Sequence, residues 1–496
     1  MPLFPKSWIK RSSAVLLIAV PQLLMESAAA KNVLIFFIDD LRPELGCYGV
    51  DSIKSPEIDK LASQGVLFER AYCQQALCAP SRISMMTGQY PDNTGIVDLF
   101  TPLRRADKKA MSLPRHFLER GYVTASFGKV YHHQIDDKPY WTELPEITSD
   151  KYADPRTLAA IKERTAEAKR KNLSVEKQRA AGKGPAIEIA DVEDEAYRDG
   201  IVAKQAIQSL RRNKSKPFFM CVGFSKPHLP FAAPKRYWDL YKREQFAVPD
   251  HTKPEGLSSL NQTPWGELRG YGGIPGEGPL DDDTTRELAH GYAACVSYAD
   301  AQVGRVMVEL DRLGLREDTI VVFWGDHGFK LGDHGLWCKH TNLELDTRVP
   351  LIISAPGKAK GKRTKALVEI VDLFPTVVEM TGGKVPSGRD GMNLEPVLND
   401  PAKSHRPFAL SQYPRGSIMG YSMRTDRWRY NEWIKAETGE VVARELYDHS
   451  ETPTPMKNLV DDAEHAELVA RLSKQLDASR RVGDSKAMPA TTTKQL

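Results

Sequence analysis

Five short stretches of the chain are apolar from end to end: residues 32–38 (NVLIFFI), 122–127 (YVTASF), 217–222 (PFFMCV), 319–324 (TIVVFW) and 349–354 (VPLIIS). A strand with one wet face alternates apolar and polar residues, whereas a strand covered on both faces does not. The stretches between them carry helical periodicity, clearest at 55–65 and 288–313. This rhythm predicts an α/β fold with a large sheet flanked by helices. Four of the five runs end in ionisable residues: Asp39-Asp40, then Lys129 and His132, then His228, then Asp326-His327. Ligands of open α/β sheets sit beyond the carboxyl ends of the strands, so these groups are expected to converge on one site. Singly, each has a plainer reading, an Asp as a helix cap or a His as a satisfied hydrogen-bonding residue.

The rest of the chain sets boundaries. Lys6, Lys10 and Arg11 precede an apolar stretch from Ala14 to Leu24 that Pro21 interrupts, and Ala28-Ala29-Ala30 follows. That order predicts a signal peptide over 1–30, hence export to the periplasm or the extracellular space and no membrane span in the mature chain. The 69 basic residues exceed the 65 acidic ones by four over 496 residues, and removing 1–30 leaves an excess of two. So even a balance argues against nucleic acid as a partner. Six scattered cysteines make no disulfide scaffold or zinc motif, and the pairing of Cys47, Cys73, Cys221, Cys295 and Cys338 stays open. Residues 31–395 are expected to form the catalytic domain and 396–483 a small C-terminal domain with an antiparallel sheet and a helix. Residues 484–496 read as a flexible tail. The charged segment 151–199 reads as a solvated helix and linker, or as a lid. Residues 253–283 read as a long loop whose Asp281-Asp282-Asp283 caps the next helix, and 358–365 (KAKGKRTK) as a solvated loop.

One local motif is more specific than any of these. Cys78-Ala79-Pro80-Ser81-Arg82 leads into ISMMTG, and here the chain resembles the formylglycine-dependent sulfatases. The resemblance runs through NVLIFFIDDLRPELGCYG, ASFGKVYHH, GFSKPHLPF, WGDHGFKLGDHGLWCKHTN and SQYPRGSIMGYSMRT, and is closest to the branch acting on iduronate 2-sulfate. It implies an alkaline-phosphatase-like fold and a sulfuric ester hydrolase acting on sulfated oligosaccharides or polysaccharides, exo-acting on a uronic acid. It also implies that a maturation enzyme converts Cys78 to formylglycine.

The same resemblance distributes roles. Asp39, Asp40, Asp326, His327 and the modified Cys78 would surround one divalent metal; three carboxylates suit calcium, although imidazole is unusual for that ion. Modified Cys78 would attack sulfur and later release sulfate by elimination. Arg82 and Lys129 would hold the aldehyde hydrate and the sulfate, and His132 would be the base for elimination. His228, beside Lys339, would protonate the leaving sugar oxygen. His133 and His334 would serve loop hydrogen bonds, and Gln412, Tyr413 and Arg415 would read a sugar carboxylate. The Asp-His pair keeps a phosphate-ester or phosphonate hydrolase open as the alternative; a glycan-binding protein without chemistry is the other.

Overall fold

The central sheet has seven strands: β1 (Asn32–Asp39), β2 (Val66–Tyr72), β3 (Val123–Gly128), β4 (Phe218–Pro227), β5 (Thr319–Gly325), β6 (Arg348–Ser354) and β7 (Lys362–Glu369). This computed structural model describes residues 1–2, 31–132 and 136–481, without the side chains of Glu176 and Arg481. Residues 3–30 of the expected export segment, His133 and the expected tail lie outside the described residues. Across the sheet the order is β7-β2-β6-β5-β1-β4-β3. Only β6 runs against its neighbours, so the other six strands end at the same edge.

The central strand shows why the sequence lacks alternation. All eight residues of β1 are buried. Leu34, Phe36 and Ile38 pack into one core with the helices Arg198–Asn213 and Asp282–Arg312. Val33, Ile35 and Phe37 pack into another with Met85 and Met86 of the helix Cys78–Thr87. Both sides of the pleat are therefore dry, and each buried Phe or Leu contributes on the order of 1.5–3 kcal/mol. The 31-residue helix Asp282–Arg312 begins where Asp281 accepts the Thr284 N–H (2.8 Å), so the acidic run is a cap.

Two strands escape the apolar reading. β2 carries Glu69 and Arg70, both half-buried, in its middle. β7 forms the sheet edge and begins with exposed Lys362 and Arg363, so the basic run expected as a loop enters a strand halfway along. Beyond residue 408, four antiparallel strands (Ala409–Arg415, Ile418–Arg424, Trp428–Lys435 and Val441–Asp448) form a second sheet, and the helix Ala466–Arg481 packs on it. Buried Glu344 joins the two sheets: Arg429 donates to its Oε2 at 2.6 Å and Tyr72 to its Oε1 at 2.9 Å. All six cysteines are free. Among the described residues no helix is long and apolar enough to cross a membrane.

Candidate active site

The common edge of the parallel strands gathers the ionisable residues. Asp39 ends β1, Lys129 follows β3, His228 follows β4 and Asp326 follows β5. Cys78 is the first residue of a ten-residue helix that starts six residues after β2, with Pro80 in its first turn and Leu77 extended before it. Because β6 is reversed, the crossing from β5 to β6 passes over the same edge and delivers Lys339.

The geometry is that of a buried carboxylate cluster held by cations. Asp39, Asp40, Asp326, His327 and Arg82 have no exposed surface, and Cys78 is 3% exposed. Arg82 donates from Nη2 to Asp39 Oδ1 (2.9 Å) and from Nε to Asp326 Oδ2 (2.8 Å), and its Nη1 bonds the carbonyls of Lys129 and Val130. Lys129 Nζ pairs with Asp39 Oδ2 and lies 3.7 Å from Cys78 Sγ. Lys339 Nζ is 3.0 Å from both Asp40 oxygens. Asp40 takes a left-handed backbone (φ 60°) and donates its N–H to Asp326 Oδ1 at 3.1 Å. That turn holds two adjacent aspartates on one centre.

His327 shows what the cluster is shaped to hold. Its Nδ1 faces the Gly328 carbonyl at 2.9 Å and so carries the proton, which leaves the Nε2 lone pair turned inward. That lone pair lies 3.3 Å from Cys78 Sγ, 3.5 Å from Asp40 Oδ1 and 3.6 Å from Asp326 Oδ2. An imidazole fixed through its outer nitrogen and aimed at carboxylates is the arrangement of a metal ligand. Donor atoms of Asp39, Cys78, Asp326 and His327 lie within 4.8 Å of one another, as do those of Asp39, Asp40 and His228. The donor set fits a divalent cation.

Sequence comparison decides the family. The sulfatase family profile matches residues 31–383, and iduronate 2-sulfatase of Mus musculus is 34% identical over 94% of this chain and 99% of its own. The chain belongs to the sulfatase family. The Homo sapiens iduronate 2-sulfatase is also 34% identical, over 88% of this chain and 92% of its own. A second profile, described as N-sulphoglucosamine sulphohydrolase, C-terminal, matches residues 332–482. The solved phosphonate monoester hydrolase of Silicibacter pomeroyi superposes with a TM-score of 0.73 at 24% identity, covering 92% of this chain and 96% of that one. The fold is thus alkaline-phosphatase-like, and the protein is a sulfuric ester hydrolase.

Electrostatics in the sulfatase site follow from burial and pairing. Burial would raise the Asp39 carboxyl, but Lys129 and Arg82 hold it well below the usual range. Burial and Asp39 push the Cys78 thiol well above its ordinary value, so the unmodified side chain is a poor nucleophile. Burial would lower the Lys339 ammonium, yet Asp40 and Glu267 hold it well above its ordinary value.

Glu267 is the residue that sequence reasoning missed. It stands on a four-residue turn of helix, Gly266–Arg269, inside the stretch expected to be loop. Its Oε1 is 2.9 Å from His228 Nε2 and its Oε2 2.8 Å from Lys339 Nζ. Burial would raise this carboxyl, but Lys339 and His228 hold it well below the usual range. His228 Nδ1 faces the Leu229 carbonyl at 2.6 Å, so both ring nitrogens meet oxygen atoms that fix the ring's orientation. The available signal was Trp265 and Leu268, apolar residues three apart in a Gly- and Pro-rich loop; both are buried and dock the turn.

The remaining candidates divide. His132 is half-buried and lines a cavity with Lys129 and His228. Arg415 stacks on Tyr413 (4.5 Å) and donates to the carbonyls of Gln262 and His340, close to Lys339. Gln412 instead donates to Asp92 at 2.7 Å. Buried His334 faces the Thr252 carbonyl at 3.3 Å, a loop contact. In the 151–199 segment the helix Pro155–Arg170 is largely solvated, while Lys151, Tyr197, Arg198 and Asp199 line the cavity.

Proposed function

We propose that this sulfatase is exported and removes sulfate from the ends of sulfated glycans, the residue attacked being a 2-sulfated uronic acid. The observation that carries the reading is the seat of Cys78, on a helix N-terminus with His327 at 3.3 Å and Lys129 at 3.7 Å. The similarity to iduronate 2-sulfatases over nearly the whole length supports the substrate.

Asp39, Asp40, Asp326 and His327 would hold one calcium ion, which when bound supplies fixed positive charge toward the sulfate oxygens and the nucleophile. Conversion of Cys78 to formylglycine by a maturation enzyme supplies a hydrated aldehyde, one hydroxyl to attack and one to drive elimination. Arg82, with its donors turned to two carboxylates and two carbonyls, positions the ligands and does not meet sulfate. Lys129 and Lys339 stand where the sulfate oxygens gather charge. His228 protonates the departing sugar oxygen, with Glu267 holding its ring and Lys339 in register. His132 takes the proton that starts elimination.

The test is sulfate release by holoenzyme from a defined panel of sulfated mono- and disaccharides, with matched phosphate esters alongside. Preference for a terminal 2-sulfated uronic acid is expected; faster turnover of the phosphate esters overturns the reading. Metal analysis of the same preparation is expected to give one calcium per chain, and stoichiometric zinc overturns that assignment.

A further inference from the structure

Beside the nucleophile lies a cavity of about 340 Å³, within the range of small-ligand sites. Its lining includes the reacting residues Lys129, His132 and His228, and beside them Lys151, Arg198 and Lys226, three cations that the reaction does not use.

Among the described residues, none of the three has a carboxylate within ion-pair distance. Lys226 is 8% exposed, and its ammonium meets only main-chain carbonyls, those of His228 at 3.2 Å and Pro230. The guanidinium of half-buried Arg198 reaches one carbonyl, that of Ile147, at 3.4 Å. Lys151 makes no ion pair with a described residue. The cavity holds three carboxylates, and two are already committed. Asp39 is paired with Lys129 and Arg82, while buried Asp199 accepts the N–H groups of Ser225 (2.9 Å) and Lys226 (2.8 Å). The third, Asp150, is exposed. Asp199 also lies within electrostatic reach of Lys226 and Arg198, so one buried carboxylate stands against three cations that repel one another, and an arriving anion relieves the excess.

We infer that these cations form a second anion subsite, in which Lys151, Arg198 and Lys226 hold a negative group of the sugar other than the sulfate being removed. The inference deepens the reading above and rests on it in taking a sugar sulfate as the occupant. A carboxylate on the attacked ring matches the planar fork of Arg198; a second sulfate offers the same charge. Tyr413 and Arg415, on the Lys339 side, do not line this cavity.

The test compares a 2-sulfated uronic acid, the same sugar with a neutral C6, and that neutral sugar carrying a second sulfate. Wild-type holoenzyme is expected to prefer the uronic acid over the neutral sugar in kcat/KM by 10-fold or more. Lys151→Ala and Arg198→Ala are each expected to shrink that ratio about 10- to 100-fold, the loss of one charge-assisted contact. If the disulfated sugar beats the uronic acid, the anion is sulfate and the carboxylate assignment is overturned. A ratio unchanged by both substitutions overturns the subsite. Binding of sulfate-free glucuronate against glucose to the Cys78→Ala chain, followed by ligand-observed NMR, reads the same subsite without turnover. Glucuronate is expected to bind and to weaken about 10-fold with Arg198→Ala; no preference over glucose also overturns the subsite. Failure of every sulfate ester would sink the sulfatase substrate reading instead, and the NMR result would then decide the subsite alone.

Discussion

At the scale of single residues, the site divides into groups that hold charge and groups that move protons. Cys78 is buried among carboxylates that keep its thiol protonated, so activity should require the modified side chain. The tryptic peptide Ala71–Arg82 of active protein is expected to carry formylglycine at position 78, and Cys78→Ala to be inactive. Full activity with an alkylatable thiol there, read by mass spectrometry, contradicts the mechanism. A second expectation concerns the leaving group. A sugar alkoxide needs a proton in the transition state, whereas nitrophenolate hardly does. His228→Ala is expected to cost roughly 10²–10⁴ in kcat on a sugar sulfate and far less on nitrophenyl sulfate. Glu267→Gln keeps the shape and removes the charge that faces His228 Nε2 at 2.9 Å, so it should show the same asymmetry, more weakly. Equal losses on both substrates would reduce both residues to packing. Neither the Glu267 contact nor its partner Lys339 is local: residues 228, 267 and 339 meet only after the chain folds, so a pattern read along the sequence cannot find the pair.

Elements were legible in the sequence in proportion to how dry both their faces are. β1, β4 and β5 sit mid-sheet and read as unbroken apolar runs, and their polar C-terminal neighbours stand out for the same reason. β2 and β7 were hidden, because partly exposed Glu69-Arg70 and an edge beginning with Lys362 and Arg363 dilute the pattern. The ends of β3 and β4 show a further control that composition does not reveal. Gly128 and Gly223 are directly paired, and the Lys129 N–H donates to the Gly223 carbonyl at 2.8 Å. A Cβ on Gly223 would come within 2.1 Å of the Lys129 carbonyl oxygen, which Arg82 also uses. Gly223→Ala must therefore displace the strand end that carries Lys129. It is expected to lower kcat at least 10-fold in protein that still folds, by analogy with the cost of roughly ångström-scale misplacement. Wild-type kcat in a folded Gly223→Ala chain, checked by circular dichroism, would show that Lys129 tolerates the shift.

For the whole molecule, the two sheets are tied by buried ions, while pH acts with opposing signs on two buried groups outside that network. Glu344 accepts from Arg429 and Arg424 across the junction, and the two arginines hold its carboxyl below the usual range although burial raises it. Burial pushes Asp300 up to about 7, so its share of stability declines as pH rises from about 4 to 7. His116 works the other way. It is 9% exposed, against Phe117 and Phe374, and burial and Arg120 lower it to about 4. Between pH 6.5 and 4 the unfolded chain binds a proton at this position that the folded chain refuses. Stability from His116 is therefore present above pH 6.5 and lost as pH falls toward 4, at most about 1.4 kcal/mol per pH unit. Since Asp300 opposes it, the wild-type profile alone is a poor test, and the difference from His116→Gln isolates the histidine. The gap in urea midpoint between the two proteins is expected to shift against the wild type as pH goes from 7 to 5. A gap that stays constant over that range would show that His116 takes up its proton equally in both states.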